Sequence, residues 1–167
     1  MQPEIFGSYV LLERIGRGGM GEVFLARSRQ RDGRSGLLAI KRLRAGALGR
    51  ARAAADFVGE ADLTARMDHR NIARVHEVGE VAGQPFIAME YIHGRDLSAI
   101  ARRHRQRSRA VPVPYACHAV MSACTALDHV HDLRDAHGQP LDIVHCDISP
   151  RNLMLSFDGH VRLIDFG

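Results

Sequence analysis

A glycine-rich segment, Gly16-Arg17-Gly18-Gly19-Met20-Gly21, lies between two runs that both read as β-strands, residues 9–15 and 22–28. No other feature restricts the fold of this chain as much. Both runs are rich in apolar and β-prone residues. Glycines at G-x-G-x-x-G spacing let a backbone turn tightly, approach phosphate oxygens closely and present N–H groups to them. Dinucleotide-binding α/β folds share the spacing, but there the glycines open a helix, with an acidic residue about 20 positions on. Here Glu22-Val23-Phe24-Leu25-Ala26-Arg27 reads as another strand. A turn around Asp32-Gly33 and Ser35-Gly36 then leads to a third strand at 37–43. The pattern is strand, phosphate-covering loop, strand.

The third strand carries Lys41, the only lysine among 23 basic residues. A compact ammonium on a flexible stem suits a point contact with phosphate oxygens, whereas the guanidinium fork is wider and geometrically fixed. Residues 53–67 show apolar positions at 3–4 spacing and predict a helix containing Glu60. His69-Arg70-Asn71-Ile72 closes it, and strands are predicted near 75–81 and 86–91. Further helices are predicted at 97–105 and 114–133. In the longer one, Cys117, Val120, Met121, Cys124, Leu127 and Val130 form one apolar stripe, with the two cysteines read as small core residues. A strand pair turning at Asp158-Gly159 is expected near the end.

Two motifs flank that strand pair. The first is His145-Cys146-Asp147-Ile148-Ser149-Pro150-Arg151-Asn152 and the second is Asp165-Phe166-Gly167. With the glycine loop and Lys41, they resemble the protein kinase signature set: a glycine loop, a strand lysine, H-R-D-x-x-x-x-N and D-F-G. The phrase Gly18-Gly19-Met20-Gly21-Glu22-Val23-Phe24, together with Pro150, is similar to bacterial eukaryotic-like serine/threonine kinases. The resemblance covers about residues 6–167.

It implies an α+β, protein-kinase-like fold. Residues 1–92 would be a complete first lobe of antiparallel sheet plus one helix, and 93–167 the start of a helical second lobe. It also implies ATP and Mg²⁺ as cofactors. Gly16, Gly18, Gly19 and Gly21 would cover the phosphates, and Lys41 would contact them while paired with Glu60. Glu90 would offer its carbonyl to adenine and Ile92 its N–H, with Val23, Ala39 and Met154 sandwiching the ring; ordinary core packing accounts equally well for these apolar residues. Asp147 would orient the substrate hydroxyl, and Asn152 and Asp165 would be metal ligands. His145 and Phe166 would be packing members.

Two positions depart from the pattern. Cys146 stands where the family has an arginine that meets a phosphorylated activation loop, so switching by that route is not expected. Ser149 stands where a lysine is common, removing a positive charge near the transferring phosphate. The chain also ends at Gly167, where the activation segment is expected to begin. These 167 residues are therefore expected to transfer little phosphate alone, and the 114–133 helix to seek cover from a partner or a second copy.

The remaining composition narrows the alternatives. No apolar run reaches the ~18–20 residues of a membrane span, and the start lacks the basic-then-apolar order of a secretory signal. Three cysteines without metal-ligand spacing read as reduced thiols in a cytoplasmic protein. Much of the +4 net charge sits in the run Arg102–Arg109. It has no interleaved aromatic residues, so a solvated helix end is favoured over nucleic-acid binding. The alternatives to a kinase are a nucleotide-binding docking module without phosphotransfer and, more remotely, a nucleic-acid-associated protein using that run.

Overall fold

The computed structural model describes residues 2–18, 21–29, 36–43, 57, 59 and 66–166. The chain divides into two compact units, Met1–Arg66 with Arg74–Tyr91, and Met67–Ala73 with Ile92–Gly167. The segment after the predicted first-lobe helix thus groups with the second unit.

The first unit is built on a six-stranded sheet in the order β1-β2-β3-β4-β6-β5, antiparallel throughout. Its strands are β1 (Glu4–Phe6), β2 (Tyr9–Arg17), β3 (Gly21–Ser28), β4 (Leu37–Leu43), β5 (Val75–Val81) and β6 (Gln84–Glu90). Successive side chains on a strand point to opposite faces, and both faces here are apolar. Leu38 and Ile40 of β4 join Phe24, Phe86 and Ala88 in one buried cluster. Leu43 joins Ile87 and Phe57 in another. The alternation puts Ala39 and Lys41 on the face of the second cluster.

Strand β1 has no counterpart in the sequence reading, because three residues are too few to show a period. It pairs with β2 across the turn at Gly7-Ser8, and tertiary contacts brace it. Arg42 Nη1 donates to Glu4 Oε1 at 2.6 Å, and the guanidinium lies 4.4 Å from the Phe24 ring centroid and 5.5 Å from that of Phe6. Phe6 and Tyr9 in turn meet Phe86 edge-on, each at 5.6 Å. The aromatic contacts, which are desolvated, outweigh an ion pair at the rim.

The second unit contains β7 (Gly94–Asp96), β8 (Leu153–Ser156) and β9 (Val161–Leu163) in one small antiparallel sheet. Two helices accompany it, α1 (Leu97–Gln106) and α2 (Val113–His131). Asp96 caps α1, its Oδ1 accepting the Ala99 N–H at 2.7 Å. Prolines at 112 and 114 start α2, where a missing N–H costs little. Strand β7 was also not foreseen from sequence.

Helix α2 corrects one expectation. Its buried side is Ala119, Ser122, Ala123, Ala126 and Val130. Cys117 and Cys124 are exposed, as are Val120 and Met121, so the two cysteines are not core residues among the described contacts. The helix is apolar on most sides, and periodicity alone does not choose between two apolar stripes. Small side chains on the Ala119–Ala126 side allow β8 and β9 to approach closely, which decides the packed face. The isolated 167-residue chain is accordingly expected to self-associate at micromolar concentration. A single monomeric boundary in sedimentation velocity would contradict this.

Segment 67–73 is sewn onto β9. Leu163 N–H donates to the Asn71 carbonyl at 2.7 Å, Ala73 N–H to the Leu163 carbonyl at 2.9 Å, and Asn71 Nδ2 to the Val161 carbonyl at 2.9 Å. Beside it, the rings of His69 and His129 stack at 5.0 Å. Burial, then the His129 ring and the nearby Arg70 and Arg162, hold the His69 pKa below its ordinary value. Between that lowered pKa and about 6.5, the unfolded chain binds more protons than the folded one. Stability is therefore full above about pH 6.5 and falls as pH drops below it. Thermal melts at pH 7.5 and 5.5 should show a smaller acid loss for His69→Asn than for the unaltered chain; an identical loss would remove His69 as the cause. Among the described residues no helix is long and apolar enough to cross a membrane.

Candidate active site

The first unit places the glycine segment between paired strands. Gly16 opposes Val23 and Arg17 opposes Glu22 in the β2–β3 register, and Gly18 N–H donates to the Gly21 carbonyl at 2.9 Å. Gly21 is required sterically, since a Cβ there would lie 2.8 Å from the Arg42 carbonyl oxygen. Gly19 lies outside the described residues. Lys41 sits in β4 opposite Val23 on one side and Ile87 on the other. Its Nζ is 5.9 Å from the Phe57 ring centroid. Glu60 lies outside the described residues, so the Lys41–Glu60 pair is not placed.

Ala39 is buried and Val23 half-buried on neighbouring strands. Glu90 ends β6, its N–H donating to the Arg74 carbonyl at 2.8 Å and its Oε2 accepting the Arg74 N–H at 3.3 Å. Ile92 is buried in the link that follows. In the second unit, Met154 is half-buried on β8, opposite Asp96 and Arg162.

The second unit brings Asp147 and Asn152 together. Asn152 Nδ2 donates to both the carbonyl and Oδ2 of Asp147, each at 2.9 Å. The Asn152 carbonyl accepts the Ile164 N–H at 2.9 Å, which ties the segment leading to Asp165 to the same asparagine. Asn152 is buried, while Asp147 and Asp165 are exposed at the surface where a ligand can reach them.

The loop is shaped by a γ-turn. Asp147 N–H donates to the His145 carbonyl at 2.8 Å across Cys146, whose φ is +63°. Asp165 also has a left-handed backbone, with φ +56°. Non-glycine residues in this region cost of order 1 kcal/mol or more and persist where surrounding contacts over-determine them. Those contacts are visible. His145 is buried, its Nδ1 accepts the Asp147 N–H at 3.3 Å, and its Nε2 lies 3.2 Å from the Ile164 carbonyl. This partner set assigns the proton to Nε2. Its ring centroid is 4.5 Å from that of the buried Phe166. Cys146 is exposed, its Sγ 3.5 Å from the Val144 carbonyl.

Two positioning residues were overlooked in the sequence. Asn71 belongs to the segment expected to close a helix, yet its side chain and carbonyl both hold β9, the strand that leads to Asp165. Gly94 lies outside every sequence motif, and a Cβ there would lie 2.0 Å from the Leu155 carbonyl oxygen. A glycine two residues before a helix cap was the available signal.

The six-stranded antiparallel sheet and the helix-bearing second unit are those of a protein-kinase-like fold. The chain belongs to the protein kinase domain family, which it matches over residues 9–167. It is 36% identical over 167 residues to a Myxococcus xanthus protein named tyrosine-protein kinase MasK, spanning 100% of this chain and 26% of that protein. It is 31% identical over 166 residues to a Mycobacterium tuberculosis protein named serine/threonine-protein kinase PknF, spanning 97% of this chain and 32% of that one. The crystal structure of the M. tuberculosis PknI kinase domain aligns with a TM-score of 0.74 at 31% identity, covering 98% of this chain and 61% of that one. The chain thus spans about a quarter to a third of the length of these curated relatives.

Proposed function

We propose that this chain carries the nucleotide-side and catalytic-loop residues of a kinase that transfers the γ-phosphoryl group of Mg-ATP to a serine or threonine hydroxyl of a protein. The observation that carries the reading is the double hydrogen bond from Asn152 to Asp147, with the segment entering Asp165 bound to the same asparagine. Phosphoryl transfer needs positioning and charge stabilisation more than covalent chemistry. With Oδ2 held by Asn152, the other carboxylate oxygen of Asp147 is left to accept the hydroxyl proton and aim the nucleophile. Because Asn152 donates through Nδ2, its Oδ1 is turned away from Asp147 and suits a metal. That amide oxygen and the Asp165 carboxylate are hard donors of the kind Mg²⁺ takes, one or two from protein with phosphates and water completing the octahedron. When bound, the ion would neutralise charge on the phosphates. Gly16, Gly18, Gly19 and Gly21 would cover those phosphates, Lys41 would bind them with Glu60 as its partner, and Glu90 and Ile92 would pair with adenine.

Lys41→Ala is expected to weaken Mg-ATP binding at least tenfold, the scale of one lost charge-assisted contact. Calorimetry giving equal affinity for both proteins would sink the site assignment. The class of acceptor is tested by phosphoamino-acid analysis of a labelled substrate. The sequence around Pro150 favours serine or threonine, and the name of the M. xanthus relative favours tyrosine. Phosphotyrosine alone would replace the first reading with the second. We place the activity in the cytoplasm, where ATP is held and where the three free thiols Cys117, Cys124 and Cys146 persist reduced.

A further inference from the structure

Helix α1 borders a basic cleft of about 460 Å³, lined by Arg95, Ala99, Ile100, Arg102, Arg103, His104 and Gln106. All of them lie within the second unit. From Arg95 through Leu127 the only acidic residue is Asp96, and its Oδ1 is occupied by the Ala99 N–H. Neither Arg102 nor Arg103 has an ion-pair partner among the described residues. Arg95 is held in place, with Nη1 donating to the Gly94 carbonyl at 2.9 Å and its guanidinium 5.8 Å from the Phe157 ring centroid. Cations in the last turn of a helix favour its dipole, but that effect ends within a turn. Arg95 precedes the helix, so the dipole does not explain its part in the cleft.

We propose that this cleft docks an acidic segment of a protein substrate, away from the transferred phosphoryl group. The inference rests on the kinase reading above. Guanidinium groups gathered around one concavity, two of them without an ion-pair partner among the described residues, select carboxylates, which they bind through two donors at once. Ala99 and Ile100 give the cleft a half-buried apolar floor that matches the aliphatic part of a peptide. His104 is the one aromatic ring among its lining residues, with no Phe, Tyr or Trp beside it, so it lacks the series of stacking rings of a single-strand nucleic-acid site. The placement also fits a substrate. Ser98 N–H donates to the Pro150 carbonyl at 3.0 Å, which fastens the start of α1 to the loop carrying Asp147. The ten residues of α1 extend about 15 Å from there. An extended peptide covers that distance in roughly five residues, so an acidic run of about that length can lie along the helix.

The test is fluorescence anisotropy of a labelled six-residue Asp/Glu peptide with the full-length protein, without nucleotide. Saturable binding is expected, weakened at least tenfold by Arg102→Glu with Arg103→Glu and reduced by added salt. The charge-matched pair Arg27→Glu with Arg29→Glu in the first unit should leave it unchanged. All four arginines are exposed, and circular dichroism checks that each variant folds. Absence of binding, or equal loss in both variants, overturns the proposal. So does displacement of the peptide by single-stranded oligo-dT at lower concentration than by an unlabelled copy, which would assign the cleft to nucleic acid. Because no ATP is present, a protein that binds the peptide but transfers no phosphate would remove the kinase reading and leave the acidic-peptide site standing.

Discussion

Replacing Asp147 by asparagine is expected to lower phosphotransfer by the full-length protein about 10²- to 10⁴-fold, the usual contribution of a positioned general base, while leaving Mg-ATP affinity unchanged. The substitution preserves shape. An asparagine at 147 still offers Oδ1 to the Asn152 amide, so the hydrogen bonds that order the loop survive. What disappears is the anionic oxygen proposed to face the substrate. Asn152→Ala is the informative contrast. It deletes both 2.9 Å hydrogen bonds and the amide oxygen proposed for the metal, so transfer rate and nucleotide affinity should fall together. Single-turnover transfer and calorimetry on the same preparations separate the two patterns. Asp147→Asn retaining most of the rate would refute the role given to this aspartate.

Gly94→Ala is expected to destabilise the second unit by about 3 kcal/mol, near the upper end of ordinary overpacking. The added Cβ would meet the Leu155 carbonyl oxygen at 2.0 Å and the Ser156 Cα at 2.6 Å, and backbone cannot rotate aside as a flexible side chain can. Strand β7 must then part from β8, and β7 leads directly into the Asp96 cap of α1. For a chain of this length, such a loss lowers the melting temperature by roughly 6–12 °C. Gly36→Ala is the control, because a Cβ there meets nothing within 4 Å. Equal melting temperatures for the two variants would show that β7 relieves the clash at no cost.

Much of the sheet was legible because its strands are long enough to display a period. Strands β2, β3 and β4 alternate or run apolar between glycine-rich turns, and the observed bounds lie close to those read from the residues. Strands β1 and β7 were not legible. Each has three residues, too few to show a period; β1 pairs with the adjacent β2 and is braced by Arg42 and Phe86, and β7 is held by the distant β8. The resemblance carried by the motif spacing put Asp147 and Asn152 in one loop, five positions apart, and left the hydrogen bonds between them to the fold. It was silent on the left-handed backbone at Cys146 and Asp165. Those angles depend on contacts from Asn152, His145 and Phe166, which converge only in the folded unit.

The sequence by itself determined the family, the types of residue at the positions proposed for phosphate and metal, and the order of the main elements. Resemblance of the combined motifs carries the family, and local chemistry the rest: glycines where backbone would approach phosphate, one lysine in a strand, and hard oxygen donors at short spacing. Tertiary structure alone decided which stripe of α2 is packed, that Asn71 holds β9, that Gly94 admits no Cβ, and that the arginines of α1 form a cleft with Arg95. Each of these depends on the separation of atoms distant in sequence. An apolar helix looks alike from several sides, and only the neighbour that arrives selects one.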